Sequence, residues 1–161
     1  MKVIEYDSKY DEQIKDLLVE LQNYLIDIDD WHTQVLIPAY RDGIFKMDMD
    51  NVKNQNGKAY LAIENEIVVG LIIGVVAVTD EIDRLTNDCA KIGNILELVV
   101  KNDIRGNGIG KCLLLKMENY FKTIDCKRIN IEVFGPNKKG LNFYIKNDYV
   151  VRDMIVSKKL N

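Results

Sequence analysis

Apolar residues recur along the chain in two periods, and the switches between them mark the elements. Val3 to Tyr6 predicts a short first strand. From Asp11 onward Ile14, Leu17, Leu18, Leu21, Leu25 and Ile28 fall at helical spacing, which predicts an amphipathic helix over 11–28. Asp27-Ile28-Asp29-Asp30 closes it acidically and Trp31 and His32 follow. A second helix is expected over 33–49, interrupted near Pro38. Asn51 to Lys58 carries Asn54, Asn56 and Gly57 and reads as a turn-rich connection. Ala59–Glu64 and Ile67–Val78 are β-branched runs joined by Asn65-Glu66, which predicts a hairpin. Residues 79–92 are polar and acidic and read as a long loop, and Ile95–Val100 is again a strand. Ile109, Leu113, Met117, Tyr120 and Phe121 mark one face of a helix over about 107–122, with Lys111, Lys116 and Lys122 outside it. Arg128–Phe134 predicts a strand, residues 137–147 a short helix, and Tyr149–Leu160 a final strand. No repeat or linker interrupts the series, so residues 1–161 read as one domain in the order β-α-α-β-β-β-α-β-α-β.

The size agrees, since 161 residues bury one full core but not two. With 47% apolar and 29% charged residues the chain has a globular composition rather than a disordered one. The longest apolar run, Ile67 to Val78, holds Gly70 and Gly74 and is too short for a bilayer, which takes about 20 residues. The acidic start Met1-Lys2-Val3-Ile4-Glu5-Tyr6-Asp7 has no signal-peptide stretch, so no membrane partner and a cytoplasmic location are expected.

Cys89, Cys112 and Cys126 are odd in number and widely spaced, which argues for reduced, buried thiols rather than a disulfide framework. A zinc site has no ligand cluster to draw on, and no metal is expected. A Cys–His nucleophile built on His32, the one histidine, stays open but has no local support. Charge is unevenly laid down. Residues 1–100 carry 9 Lys+Arg against 19 Asp+Glu, whereas residues 101–161 carry 13 against 6. That pattern suits an anionic ligand on the C-terminal part and a cationic one near the N-terminal part, with solvated helix faces as the plain alternative. The basic residues are scattered and not interleaved with exposed aromatics, so nucleic acid is not an expected partner.

The most informative stretch is Leu96-Glu97-Leu98-Val99-Val100-Lys101-Asn102-Asp103-Ile104-Arg105-Gly106-Asn107-Gly108-Ile109-Gly110-Lys111: a strand, a glycine-rich loop and a helix start. Alternating glycines let backbone approach a ligand, and the unpaired amides and dipole of the helix start face the same place, which makes an anion site. G-x-G-x-G is not the dinucleotide G-x-G-x-x-G, and Cys112 follows Lys111 where a P-loop needs Ser or Thr. A tight turn with no ligand is the structural alternative.

Arg105-Gly106-Asn107-Gly108-Ile109-Gly110 matches the R/Q-x-x-G-x-G/A loop of the GNAT (GCN5-related) acyl-CoA N-acyltransferases. Ile131-Glu132-Val133-Phe134-Gly135-Pro136-Asn137, then Phe143-Tyr144 and Tyr149, resemble the family's next segment: strand, Asn, and an aromatic-Tyr pair along a helix. The resemblance covers essentially the whole chain and is strongest from 95 to 160. Gly140 stands where Ala is frequent, Asp148 precedes Tyr149 where Gly precedes Phe, and Asn102 replaces a common proline. The tail after Tyr149 is short for the family's last hairpin, which supplies one wall of the acceptor pocket and some dimer contacts.

The resemblance implies an α+β, three-layer α/β/α fold around a mixed, mostly antiparallel sheet. It implies an N-acetyltransferase that moves acetyl from acetyl-CoA to a primary amine by direct attack in a ternary complex. It also implies, as alternatives, a non-catalytic acyl-CoA sensor or a protein N-terminal or lysine acetyltransferase, and it allows a homodimer. An interaction domain with a purely structural glycine loop is a further alternative. By the same resemblance, backbone groups of Leu98, Val99 and Val100 pair with the pantetheine arm, and Arg105, Gly106, Asn107, Gly108, Ile109, Gly110 and Lys111 grip the pyrophosphate. Asn137 and Tyr144, seven residues apart, lie on one helix face and serve the same cleft. Tyr144 takes the place of the acid that protonates the leaving thiolate. Glu97 and Glu132 are the two candidate bases, each with a plain alternative, an exposed strand residue or a partner for Arg128. The acceptor is expected to be small and cationic, near Glu20, Asp27, Asp29, Asp30, Asp42, Asp48, Asp50, Asp80, Glu81 and Asp83, with Trp31 and His32 at the rim.

Overall fold

A computed structural model describes residues 1–78, 81–86, 88 and 91–160. Its sheet has the order β1-β2-β3-β4-β5, with β1 at Lys2–Glu5, β2 at Lys58–Glu64, β3 at Ile67–Val76, β4 at Ile92–Val100 and β5 at Arg128–Ile131. The first three pairings are antiparallel and β4–β5 is parallel, so the sheet is mixed and mostly antiparallel. The β2–β3 hairpin turns on Asn65 and Glu66, both left-handed at φ 47° and 62°, whose twist matches that of the flanking strands.

Residues 61–62 and 71–73 show why the sheet is covered twice. Leu61, Leu71 and Ile73 point into a core with Ile14, Leu17 and Leu18 of α1 (Asp11–Asp27), against which Ile44, Phe45 and Val52 of α2 (Tyr40–Asn54) pack. Ala62 and Ile72 point the other way, into a core with Leu113, Leu114, Met117 and Phe121. Those four belong to α4 (Ile109–Thr123), and Tyr144 of α5 (Lys138–Ile145) joins them. Period-2 alternation thus feeds two helical layers, the three-layer architecture expected. None of the described helices is long and apolar enough to cross a membrane.

Glycines let α4 lie close against the sheet. A Cβ at Gly93 would stand 2.6 Å from the Phe121 ring, and one at Gly74 would stand 2.7 Å from Met117 Sδ. Gly93→Ala is therefore expected to cost about 1–3 kcal/mol by overpacking, read as a lowered thermal midpoint. A midpoint equal to wild type would show that α4 moves freely.

Several expectations about elements need correction. The segment 33–39 is not helical, and α2 starts at Tyr40. The buried Asp29 carboxylate accepts from the amides of Trp31, Thr33 and Gln34, and Gln22 of α1 donates to the Val35 carbonyl at 2.8 Å, so this stretch is tied to α1 as a loop. The helix then runs on to Asn54, through half of the expected turn region, and the chain reverses at 55–57. Within 79–92, Glu81–Thr86 forms a short helix, α3, and β4 already begins at Ile92; Asp80 and Cys89 lie outside the described residues.

The last strand, Tyr149–Leu160, does not form. Residues 150–160 pair with nothing as a strand and are exposed, Ile155 at 88% and Val156 at 92%. Their alternation is genuine, but a strand needs a neighbour. The tail is held at its far end, where Lys159 Nζ lies over the Trp31 ring and donates to its carbonyl at 3.4 Å. Of the two described cysteines, Cys126 is half-buried but Cys112 is exposed, because it lies on the outer face of α4.

Candidate active site

The site begins with a fault in the β3–β4 ladder. Ile73 faces Glu97 and Gly74 faces Ile95, so Leu96 is one residue too many on β4. Cross-strand partners share a face, and Ile73 points to the α1–α2 layer, so Glu97 does too. Bulges bend a strand and end its pairing. Here the parallel pairing with β5 stops at Ile95–Ile131, one residue before the bulge. This corrects the expected Arg128–Phe134 strand: residues 132–134 diverge from β4 instead of pairing with it.

Residues 96–100 thus line one arm of an open fork. Lys101 N–H donates to the Val69 carbonyl at 3.0 Å, which sets the antiparallel alternation. By that alternation Val99 spends its peptide groups on Leu71 of β3, while those of Leu98 and Val100 turn to the open side. The Val100 carbonyl accepts there from Arg105 Nε at 2.8 Å.

After one 3-10 turn at Asn102–Ile104, Gly106 and Gly108 are left-handed at φ 89° and 79°. A Cβ at either would meet nothing within 4 Å, so these glycines supply backbone conformation and open space rather than close packing. Cys112 N–H makes the bond to the Gly108 carbonyl at 3.0 Å, which leaves the amides of Ile109, Gly110 and Lys111 without helical partners. Ile109 is buried and anchors the turn, whereas Arg105, Asn107 and Lys111 are exposed around it. Asn107 Nδ2 closes the loop onto the Ile104 carbonyl at 3.2 Å. Arg105 lies over the Tyr24 ring, 5.3 Å from its centroid. An anion with several oxygens fits this cradle.

Acid–base groups gather beside the bulge. Burial, and then the charge of Asp48, push the Glu97 carboxyl up to about 8. Asp48 of α2 is only 3% exposed, burial alone raises it to about 6, and its Oδ2 has no hydrogen-bond partner. Tyr40, at the start of α2, is pushed up to about 12 by burial and by Glu97 and Asp48. Tyr144 of α5 is buried against Phe143 and Tyr149, with ring centroids at 5.2 and 5.7 Å. Burial, and then Glu97, raise its phenol well above the ordinary range. Glu97 faces the α1–α2 layer and Tyr144 belongs to the other, yet Tyr144 lies within reach of the Glu97 charge at the fork. Asp48 was one of the acidic residues the sequence offered for the acceptor, whereas Tyr40 was not singled out. Ile44, Asp48 and Val52 stand at i, i+4 and i+8, so Asp48 interrupts the apolar stripe of α2; that spacing was the signal.

Other predicted residues lie elsewhere. Glu132 is exposed just past β5, and Arg128, offered as its partner, pairs with Asp88 at 3.5 Å. Asn137 caps α5, accepting from the Gly140 amide at 2.9 Å and the Tyr24 hydroxyl at 3.1 Å. Four of the acidic set are already committed. Asp42 pairs with Lys15 and Asp50 with Lys46, while Glu20 accepts from the Asn102 amide. Asp29, held down to about 2 by the Gln34 amide and its neighbours, fastens the 29–34 loop. His32 and Trp31 are exposed beside it.

The fork, the glycine turn and the buried carboxylate define an acyl-transfer class of site. The model of the acetyltransferase (GNAT) family matches residues 22–149, and the chain belongs to that family, whose members are acyltransferases that use acetyl-CoA. It is similar to the uncharacterized N-acetyltransferase MJ1530 of Methanocaldococcus jannaschii, 39% identical over 64 residues that make up 39% of this chain and 41% of that protein. Its fold resembles that of a single-site mutant of the BH1408 protein from Bacillus halodurans, at 17% identity, a TM-score of 0.81 and full coverage of both chains. It also resembles the apo aminoglycoside 6'-N-acetyltransferase AAC(6')-IG of Acinetobacter haemolyticus, at 11% identity, a TM-score of 0.73 and full coverage of both.

Proposed function

We propose that this protein transfers acetyl from acetyl-CoA to the primary amine of a small cationic acceptor by direct attack in a ternary complex. The observation that carries the reading is the half-buried Glu97 on the bulge at the mouth of the fork, turned to the α1–α2 layer, where burial of its carboxyl pushes it up to about 8. An alkylammonium has a pKa near 10.4, so handing its proton to an ordinary glutamate near 4.3 costs roughly 8 kcal/mol. Handing it to Glu97 at about 8 costs roughly 3 kcal/mol. That difference lets a side chain, rather than solvent, take the proton.

The donor's extended arm adds to the open edge of β4 through the peptide groups of Leu98 and Val100, and its phosphates sit on the turn from Arg105 to Lys111. A β4 amide on that edge holds the thioester oxygen as it gains negative charge. The ammonium proton passes first to Glu97, the freed lone pair bonds to the carbonyl carbon, and the carbon–sulfur bond breaks as the nitrogen sheds its second proton, which restores the Tyr144 hydroxyl spent on the thiolate. Tyr144, kept protonated by its burial, supplies the proton for the departing thiolate. Asn137 acts by capping α5, which places Tyr144.

Thermal unfolding with and without acetyl-CoA tests this, with ATP and NAD as controls. A ligand at about 100 times its dissociation constant adds about 2.7 kcal/mol and raises the midpoint visibly. A rise with acetyl-CoA alone is expected. No rise at millimolar acetyl-CoA would make the glycine turn structural and end the enzymatic reading.

A further inference from the structure

We propose that Asp48 and Glu97 together form a two-carboxylate seat that receives the acceptor as a positively charged ammonium, with Asp48 as its lasting counter-charge. The inference rests on the proposed function and specifies how the acceptor is recognised.

The starting point is an unpaid charge. Asp48 is 3% exposed, yet its Oδ2 meets no donor. A carboxylate taken out of water is costly unless a cation or hydrogen bonds replace the water. Asp48 Oδ2 has no hydrogen-bond partner, Lys46 is paired with Asp50, and Arg41 is shared by Glu12, Asp16 and Asp42. The charge of Glu97 is felt by Tyr40 of α2 and Tyr144 of α5, and that of Asp48 by Glu97 itself: two phenols and a second acid. None of them is positive. A pair of carboxyls so placed keeps one proton between them until a cation arrives, and the cation lets both ionise.

The two acids then divide the work. Glu97, on the bulge at the fork, takes the proton of the attacking nitrogen. Asp48, set against it from the α2 layer, keeps its charge and holds the ammonium until that transfer. The seat selects amines that are cations in solution over equally nucleophilic neutral ones. Among the described acidic residues of the N-terminal half, Asp42 and Asp50 are paired with lysines and Asp29 is held by backbone amides, so selectivity for a cation rests on this pair.

The test uses the full chain, as wild type and as Asp48→Asn, with benzylammonium, butylammonium and spermidine as probes. Benzyl alcohol and butanol serve as neutral controls, and acetyl-CoA as a separate arm. In wild type at pH 8, at least one ammonium probe should raise the unfolding midpoint while the alcohols do not. At pH 5, with both carboxyls protonated, that rise should vanish. Asp48→Asn should keep the acetyl-CoA rise, lose the ammonium rise, and show a KM for the alkylamine about thirtyfold higher or more. Acetylation of aniline, which is neutral at this pH, should change much less. An Asn variant that answers the ammonium probes as wild type does would overturn the proposal. So would a wild type that answers alcohols and ammoniums alike, or answers none of the three cations. The wild-type comparison stands even if the variant fails to fold. Loss of the acetyl-CoA rise in both proteins would instead count against the proposed function, and the cation arm would still decide on the seat.

Discussion

Glu97→Gln is expected to lower turnover of an alkylamine at pH 7–8 by about two to four orders of magnitude, with acetyl-CoA binding intact. Gln keeps the shape and cannot take a proton. In wild type the rate should climb with pH through about 8, where Glu97 ionises, and then level. The variant should lack that limb and rise only as the amine itself loses its proton. Stability should run the other way. A carboxyl raised from about 4.3 in the unfolded chain to about 8 in the fold holds a proton that the unfolded chain has already lost. The fold is therefore favoured below about 4.3 and loses stability as pH climbs toward 8. Asp48 adds the same sign between about 3.9 and 6. Unfolding midpoints at pH 5 and pH 9 should differ less in the Gln variant than in wild type. A variant with wild-type turnover across the whole pH range would take the base assignment away from Glu97.

Tyr144→Phe should reduce turnover by about one to three orders of magnitude, again with the acetyl-CoA rise in midpoint preserved. The ring packing against Phe143 and Tyr149 survives this change, because only the hydroxyl is lost. What disappears is the proton for a thiolate whose conjugate thiol has a pKa near 8.5. The loss should fall on kcat rather than on KM for either substrate, since the hydroxyl acts as the carbon–sulfur bond breaks. A fall in acetyl-CoA affinity with unchanged kcat would assign Tyr144 to binding alone.

Much of this molecule can be read along the chain because both helical layers and the central strands carry strong periods. Ile14 to Leu25 declares α1, and Ile109 to Phe121 declares α4, since burial on one face dictates their spacing. The glycine turn is equally legible, because Gly106 and Gly108 answer to backbone dihedrals that few other residues adopt. What stays hidden depends on contacts distant in sequence. Leu96 is an ordinary strand residue until it lacks a partner on β3, and only then does Glu97 become a buried group beside α2. Asp48 sits in Lys46-Met47-Asp48-Met49-Asp50, where its immediate neighbours look alike and only its spacing from Ile44 and Val52 separates the inward acid from the outward one. Asp29 is similar: its charge suggested a ligand, but the amides at 31, 33 and 34 already use it. The tail at 150–160 misled for the opposite reason, as its pattern is that of a strand and the described sheet offers it no pairing.

The unmatched Leu96 also bears on how this protein can be improved. Deleting it would let Ile95 and Glu97 fall opposite Gly74 and Ile73 without a gap, and every flanking side chain would keep its face. Such a repaired sheet would zip on toward Phe134 and gain rungs. It would also close the slot in which another extended chain can lie. A search for thermostability that rewards unbroken ladders would therefore find sturdier, inert versions of this fold. The missing rung is better treated as a fixed position, with stabilisation sought on the exposed face of α4 in the far layer.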